Sequence, residues 1–233
     1  VNSADAARKR RLARERERRR LQRLHVFERD ALARGYRLIG GVDEVGRGPL
    51  AGPVVAACVV ADGPLMLVGL DDSKKVPRER RAELAEEIRA RAVAWAIGEA
   101  TVAEIDRLNI YWASILAMER ALAALAAQPQ FLLTDAVRIR SFRGEQLPVI
   151  KGDAKCATVA AASIVAKVHR DGLLVALGAL HPQYGFAEHK GYATAQHIAA
   201  LKEHGPCEHH RRQFWRVREA LTLFGPATDG TPA

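Results

Sequence analysis

GVDEVGRGPLAGP, residues Gly41 to Pro53, joins an apolar run to a glycine-rich turn and places two acids at the junction. The run leading into it, Leu38-Ile39-Gly40-Gly41-Val42, reads as a strand that ends at Asp43-Glu44, and residues 54–61, VVAACVVA, read as a second strand. Between them, Gly46-Arg47-Gly48 can bring bare backbone close to a phosphate or a sugar. The stretch is not a dinucleotide fingerprint, because Pro49 intrudes and the glycine spacing departs from G-x-G-x-x-G. Nor is it a P-loop, because no Gly-Lys-Ser/Thr follows.

Outward from this junction, apolar runs bounded by turn signals predict strands near 37–43, 54–61, 92–99, 130–135 and 147–150. Apolar residues at helical spacing predict helices over 78–91, 105–127, 154–180, 194–203 and 213–223. Three strands in succession, then helices alternating with two more strands, imply an α/β fold: a mixed five-stranded sheet flanked by helices, with a helical C-terminal extension. No Pro/Gly/Ser-rich linker interrupts residues 36–222, so the 233 residues are expected to form one domain over 28–224, with an arm at 1–27 and a loose tail at 225–233.

Charge is concentrated in the arm. Residues 1–25 carry ten Arg or Lys against three acids, which accounts for +7 of the formal net charge of +9. The composition permits a helix, but its apolar positions are too few to bury a face. Non-specific attraction to phosphates and a solvated, partly disordered tail both remain open. The arm lacks the apolar core of about 7–15 residues that a secretory signal needs, and no window approaches the ~18 apolar residues of a membrane span. Cys58, Cys156 and Cys207 are odd in number and widely spaced, which fits a reducing cytoplasm.

The acids carry the chemistry. Adjacent strand residues point to opposite faces, so Asp43 and Glu44 share a site only if the strand ends or bulges there. Asp135 closes the apolar run Phe131-Leu132-Leu133-Thr134, where a lone Asp is ordinarily a turn former or cap. Asp153, in Lys151-Gly152-Asp153, reads as the N-cap of the Ala-rich helix that follows, a role compatible with metal ligation because a carboxylate has two oxygens. Asp171 would lie roughly 27 Å further along an unbroken helix and is left out. Acids from separate strands and a helix start, with no histidine at ligand spacing, suit Mg²⁺ or Mn²⁺. Two such ions about 3.5–4 Å apart can activate water and stabilise the leaving oxygen of a phosphodiester, so a metal-dependent nuclease is expected.

Two further clusters stand out. His204, Cys207, His209 and His210 lack the paired spacing of a cysteine-containing zinc site and read as a basic surface loop leading into Arg211 and Arg212. The segment from His181 to Tyr192 mixes aromatic and basic residues. In it Phe186 reads as core, and Tyr184 and Lys190 as nucleic-acid contacts.

DEVGRGPLAGPV at Asp43, DDSKKV at Asp71, IDRLNIYWASILAMERAL at Ile105, KGDAKCATVAAASIVAKVHRD at Lys151 and HPQYGFAEHKGYAT at His181 occur in this order. Together, over residues 37–217, they resemble the ribonuclease HII family. The resemblance implies a ribonuclease H-like fold that cleaves the RNA strand of RNA–DNA hybrids and cuts 5′ to ribonucleotides embedded in duplex DNA, leaving 3′-hydroxyl and 5′-phosphate ends. It also implies a monomer that uses Mn²⁺ or Mg²⁺. Asp43, Glu44, Asp135 and Asp153 match the family's metal-binding, catalytic carboxylates. Gly46-Arg47-Gly48 matches the segment that reads the ribose 2′-hydroxyl, and Tyr184 the tyrosine beside the neighbouring deoxyribose. The chain departs from the pattern at Ala136, where glycine is usual, and at Cys156 and Gln213, where serine is usual. A binding protein that kept the fold without catalysis is the rival of a different class. The intact acidic set argues against it, because clustered carboxylates repel a phosphate backbone unless metal is present.

Overall fold

The computed structural model describes residues 3–224, so the tail expected at 225–233 lies outside the described residues. In chain order the elements are α1 (Ser3–Leu24), α2 (Val26–Ala33), β1 (Ile39–Val45), β2 (Val54–Ala61), α3 (Arg78–Arg91), β3 (Ala94–Ala100), α4 (Val102–Leu108), α5 (Ile110–Ala123), β4 (Phe131–Asp135) and β5 (Glu145–Val149). They continue with α6 (Ala157–Leu180), α7 (Phe186–His189), α8 (Ala195–His204) and α9 (Trp215–Phe224). The strands form one mixed sheet in the order β3-β2-β1-β4-β5. β1, β2 and β3 pair antiparallel, whereas β1, β4 and β5 run parallel. Parallel strands need crossover connections, and these put helices on both faces. α6 covers β1 and β2 on one face, while α5 covers β2 and β3 on the other. A Cβ on Gly41 would fall 2.1 Å from the Thr158 carbonyl carbon, so glycine is what lets α6 cross β1 at that depth.

The expected helix over 105–127 is two helices. Asn109 at φ +70° breaks it, and its Oδ1 accepts the Tyr111 and Trp112 N–H groups to start α5. Upstream, the Thr101–Glu104 capping box starts α4. Asp153 is not the cap of the long helix. It lies in a separate one-turn 3₁₀ helix, Gly152–Ala154, and α6 begins after Cys156, which makes no side-chain cap bond. The orphan donors of that helix start are met from α2 instead: buried Glu28 accepts the Thr158 N–H at 2.8 Å and the Thr158 hydroxyl at 2.9 Å.

The basic arm is helical, and its last turn is anchored. Leu21 and Leu24, spaced i, i+3, are buried with Leu65, Leu67 and Leu70. Glu17 accepts the Gly69 N–H, and Arg20 donates to the Leu70 carbonyl and lies 3.5 Å from Asp71. Two leucines suffice for this, against the expectation that the arm has too few apolar positions, because only one turn is covered. Each contributes about 1.5–3 kcal/mol on full burial. No helix among the described residues is long and apolar enough to cross a membrane.

Candidate active site

The carboxyl ends of parallel strands gather the acids. β1 and β4 pair in register up to Val42 opposite Thr134, and the residues that follow are Asp43 and Asp135. The crevice beyond the carboxyl ends of such strands is the general location of ligand sites in open α/β sheets. β5 ends beside them and leads through Lys151 into the 3₁₀ turn, where the Gly152 N–H donates to Asp135 Oδ1 at 2.8 Å. That bond folds Asp153 back toward the strand ends. Ala136, just after Asp135, adopts φ +57°, a left-handed conformation that explains why glycine is usual there.

Glu44 reaches the group by a different route from the one expected. β1 neither ends nor bulges at Asp43-Glu44: pairing with β2 runs unbroken through Val45 opposite Val55. On the other side, however, pairing with β4 stops at Val42, and the open edge leaves room for Glu44 beside its neighbours. The electrostatics reflect one shared site. The Asp43 carboxyl is pushed well above its usual range, first by burial and then by the charges of Glu44, Asp135 and Asp153. Burial also raises Glu44, and Arg47, whose guanidinium sits 3.2 Å from it, opposes the rise. Asp153 is raised by burial and by Asp72 and Asp135, and the Lys74 ammonium at 3.6 Å opposes that rise.

Four half-buried or buried acids so close together are unfavourable as a bare cluster, and cations relieve the repulsion. The donors are all oxygens, which fits hard divalent ions. Among the described residues, three ligand atoms lie within 4.8 Å of one another only at His181, Glu208 and His209, outside this site. The acids form a more open set, suited to ions that keep part of their water shell.

Beside the acids, two buried arginines shape the glycine turn. Arg170 donates to the carbonyls of Ala51, Pro53 and Lys190 at 3.0–3.1 Å. Arg211 donates to those of Gly46 at 2.6 Å, Arg47 at 3.1 Å and Gly52 at 2.8 Å. Gly46 sits at φ +96°, and a Cβ there would come within 2.2 Å of Arg170 Nε. A trans peptide sets each N–H opposite its preceding carbonyl. With the Gly46 and Arg47 carbonyls turned in to Arg211, the Arg47 and Gly48 N–H groups therefore face away from that guanidinium. The basic surface loop expected to lead into Arg211 and Arg212 turns inward at its end: His210 and Arg211 are fully buried, and Arg212 is exposed. A buried guanidinium is tolerated here because five N–H donors meet a ring of carbonyls.

Tyr184 and Lys190, expected at the nucleic acid, are turned inward. Tyr184 is 3% exposed, stacks on Phe186 at 5.3 Å and donates its hydroxyl to the Gly205 carbonyl at 2.7 Å. Lys190 is also buried, its ammonium donating to the Ala187 carbonyl. The exposed ring beside the turn is Tyr192, which is 43% exposed and lies 3.9 Å from the position a Gly48 Cβ would take. Both tyrosines stand in one aromatic and basic segment, and composition alone does not separate them. Phe186 is core, as expected. Asp171 pairs with Lys167 at 2.6 Å and Arg81 at 3.6 Å, away from the acids.

Comparison with known proteins points the same way as the geometry. The family described as Ribonuclease HII matches residues 40–218. A ribonuclease HII of Anaeromyxobacter sp. (strain Fw109-5) is 50% identical over 215 residues, 92% of this chain and 68% of that protein. Ribonuclease HII 2 of Methylibium petroleiphilum is 54% identical over 184 residues, 79% of this chain and 85% of that protein. Among solved structures, the ribonuclease H2 of Pyrococcus horikoshii OT3 superimposes with a TM-score of 0.70 at 26% identity, covering 80% of this chain and 98% of that one.

Proposed function

The chain belongs to the ribonuclease HII family, a metal-dependent ribonuclease H endonuclease acting on RNA in RNA–DNA hybrids, and from that premise we propose that it also cuts 5′ to single ribonucleotides in duplex DNA. The products are 3′-hydroxyl and 5′-phosphate ends, as ribonucleotide excision requires. The observation that carries this reading is the glycine turn that directly follows Asp43 and Glu44, its carbonyls held by buried Arg211 and its Arg47 and Gly48 N–H groups pointing away from that guanidinium. A 2′-hydroxyl is what physically distinguishes RNA from DNA, and a side chain at Gly46 would block the turn that reads it.

In this reading Asp43, Glu44, Asp135 and Asp153 hold two divalent ions, Mn²⁺ or Mg²⁺. When bound, these supply water activation and neutralise charge on the phosphodiester. The chain's own residues do the rest. Gly46-Arg47-Gly48 donates backbone N–H groups to the ribose and adjoining phosphate, and Tyr192 packs on the neighbouring sugar. Exposed Lys74 stands over Asp153, where a phosphate would pass. The protein acts as a monomer in the cytoplasm, where buried, unbridged Cys58 and Cys156 are stable.

A DNA duplex with one ribonucleotide, incubated with Mn²⁺ or Mg²⁺ beside an all-DNA duplex, tests the reading. Cutting only the first, 5′ to the ribonucleotide, is expected, and cutting both would make it a general nuclease. In the same assay Tyr192→Ala is expected to lose about tenfold or more, consistent with the ~1–3 kcal/mol of an aromatic stacking contact. Tyr184→Phe forfeits only the Gly205 bond, about 1 kcal/mol of stability. A greater loss of cleavage in Tyr184→Phe at equal folded fraction would reverse the two assignments.

For the arm, the proposed role is phosphate attraction along exposed Arg8, Arg11, Arg14 and Arg18. Replacing these four with Gln is expected to flatten the dependence of log K on log salt by roughly 0.9 for each phosphate no longer neutralised. Deleting the arm would be a poorer test, since it strips Leu21 and Leu24 from the core. An unchanged slope would leave the arm a solvated helix.

A further inference from the structure

Away from the acids, the C-terminal end of α6 and the loop after α8 bring two imidazoles and a carboxylate together. His181 caps α6, and Glu208 and His209 belong to the loop that follows Gly205. His209 Nε2 lies 3.4 Å from Glu208 Oε1, and His181 Nε2 lies 3.9 Å from the same oxygen. All three ligand atoms fall within 4.8 Å of one another. Tetrahedral coordination with metal–ligand bonds of about 2.0–2.1 Å separates ligand atoms by about 3.3 Å. The His209–Glu208 pair is already at that spacing. The remaining closure brings His181 toward that pair by an ångström or so at most, about the scale of a side-chain adjustment, and Glu208, whose side chain is 76% exposed, is free to follow. The two imidazoles meet edge to face, with centroids 5.1 Å apart and an interplanar angle of 71°, so they are not stacked against each other.

We propose that His181, Glu208 and His209 form a second metal site, for a late first-row divalent cation of the Zn²⁺ class, distinct in ligand chemistry from the oxygen-only catalytic set. Two nitrogens and one carboxylate oxygen, with a fourth position for water, match the preferences of zinc and not those of magnesium. The neighbouring residues are otherwise engaged. His210 is held by His197 at 3.0 Å and by the Cys207 N–H at 3.0 Å, which leaves His209 as the loop histidine whose ring faces His181.

The site has a structural consequence. The His209 carbonyl accepts the Gly52 N–H at 2.9 Å, His210 bridges to Ala51, and Arg211 follows with its bonds into the glycine turn. A cation joining His209 to the end of α6 would therefore clamp the strand of loop that supports the turn. The cation would act as a staple remote from the reaction, and the proposal stands or falls independently of which substrate is cut.

Zinc titration of the full chain by calorimetry, with excess Mg²⁺ to occupy the carboxylate crevice, tests it. One Zn²⁺ per chain is expected to bind to wild type and to raise its unfolding midpoint. His181→Ala and His209→Ala are each expected to weaken that binding by at least ~100-fold, the upper end of what losing an outer-shell partner alone costs. Glu208→Gln, at an exposed position that cannot unfold the protein, is expected to weaken it by about tenfold or more and to abolish the rise in midpoint at equimolar Zn²⁺. Absence of a stoichiometric site in wild type, or zinc binding unchanged in Glu208→Gln and either histidine variant, overturns the proposal.

Discussion

Asp43→Asn is expected to abolish cleavage of an RNA–DNA hybrid while raising the thermal stability of the metal-free protein. The loss should exceed the ~10–100-fold that follows removal of an outer-shell group, because Asp43 lies at the centre of the acid set and its carboxylate is the most deeply buried of the four. Hybrid binding should persist, since Asn retains the shape and removes a charge that repels phosphate.

The stability half of this expectation follows from the direction of the Asp43 shift. Its folded-state pKa is raised above the unfolded value of about 3.9. Between those two values the native protein binds more protons than the unfolded chain, so stability falls as pH rises through that window, and the whole cost is present above it. Asn carries no charge and escapes the cost. In EDTA at pH 8 the variant should therefore melt above wild type, by ~2–4 °C for each kcal/mol relieved. The difference should close as pH is lowered toward the unfolded value, and saturating Mn²⁺ should restore wild type relative to the variant. Cleavage by Asp43→Asn within tenfold of wild type, or a variant that melts below wild type in EDTA at pH 8, would remove Asp43 from the centre of the site.

What the sequence disclosed and what it hid divide along physical lines. Strands buried on both faces announce themselves as continuous β-branched runs, and β2 coincides with its expected residues, 54–61. Asp43 and Asp135 were legible because an acid at the end of such a run is chemically conspicuous. Their meeting depends on β1 and β4 being parallel neighbours, which local pattern does not encode. The break at Asn109 was hidden because apolar periodicity continues across it, and only the left-handed backbone stops the helix. Arg170 and Arg211 were hidden more completely. Charged residues are almost never fully buried without partners, and apart from the Lys190 carbonyl their partners here are backbone carbonyls more than 115 residues away, invisible to composition and spacing. Tyr192 was passed over for Tyr184 because both stand in one aromatic and basic segment, and the left-handed turn at Lys190 and Gly191 that precedes the exposed ring is not visible in composition.

Arg211 therefore carries the second large expectation. Its guanidinium is fully buried, and burial, then the like charge of Arg170, lowers its pKa to about 9, so it remains protonated at neutral pH. Removing it leaves the carbonyls of Gly46, Arg47 and Gly52 without their donor, at ~1–3 kcal/mol for each that water does not reach. Arg211→Ala is accordingly expected to lose about 3–5 kcal/mol of stability, the range reserved for broken buried networks, and to lower the melting temperature by roughly 10 °C. Arg211→Lys separates charge from geometry. A single ammonium keeps the charge but cannot span three carbonyls as a planar fork does, so it should recover part of the stability and little of the ribonucleotide-directed cleavage. Arg212→Ala is the control, exposed and engaged only through its backbone N–H to Asp106, and should fall within about 0.5 kcal/mol of wild type. If Arg211→Lys cleaves the single-ribonucleotide duplex as wild type does, the inward carbonyls do not set the turn. The outward N–H groups would then lose their claim as the reader of the ribose.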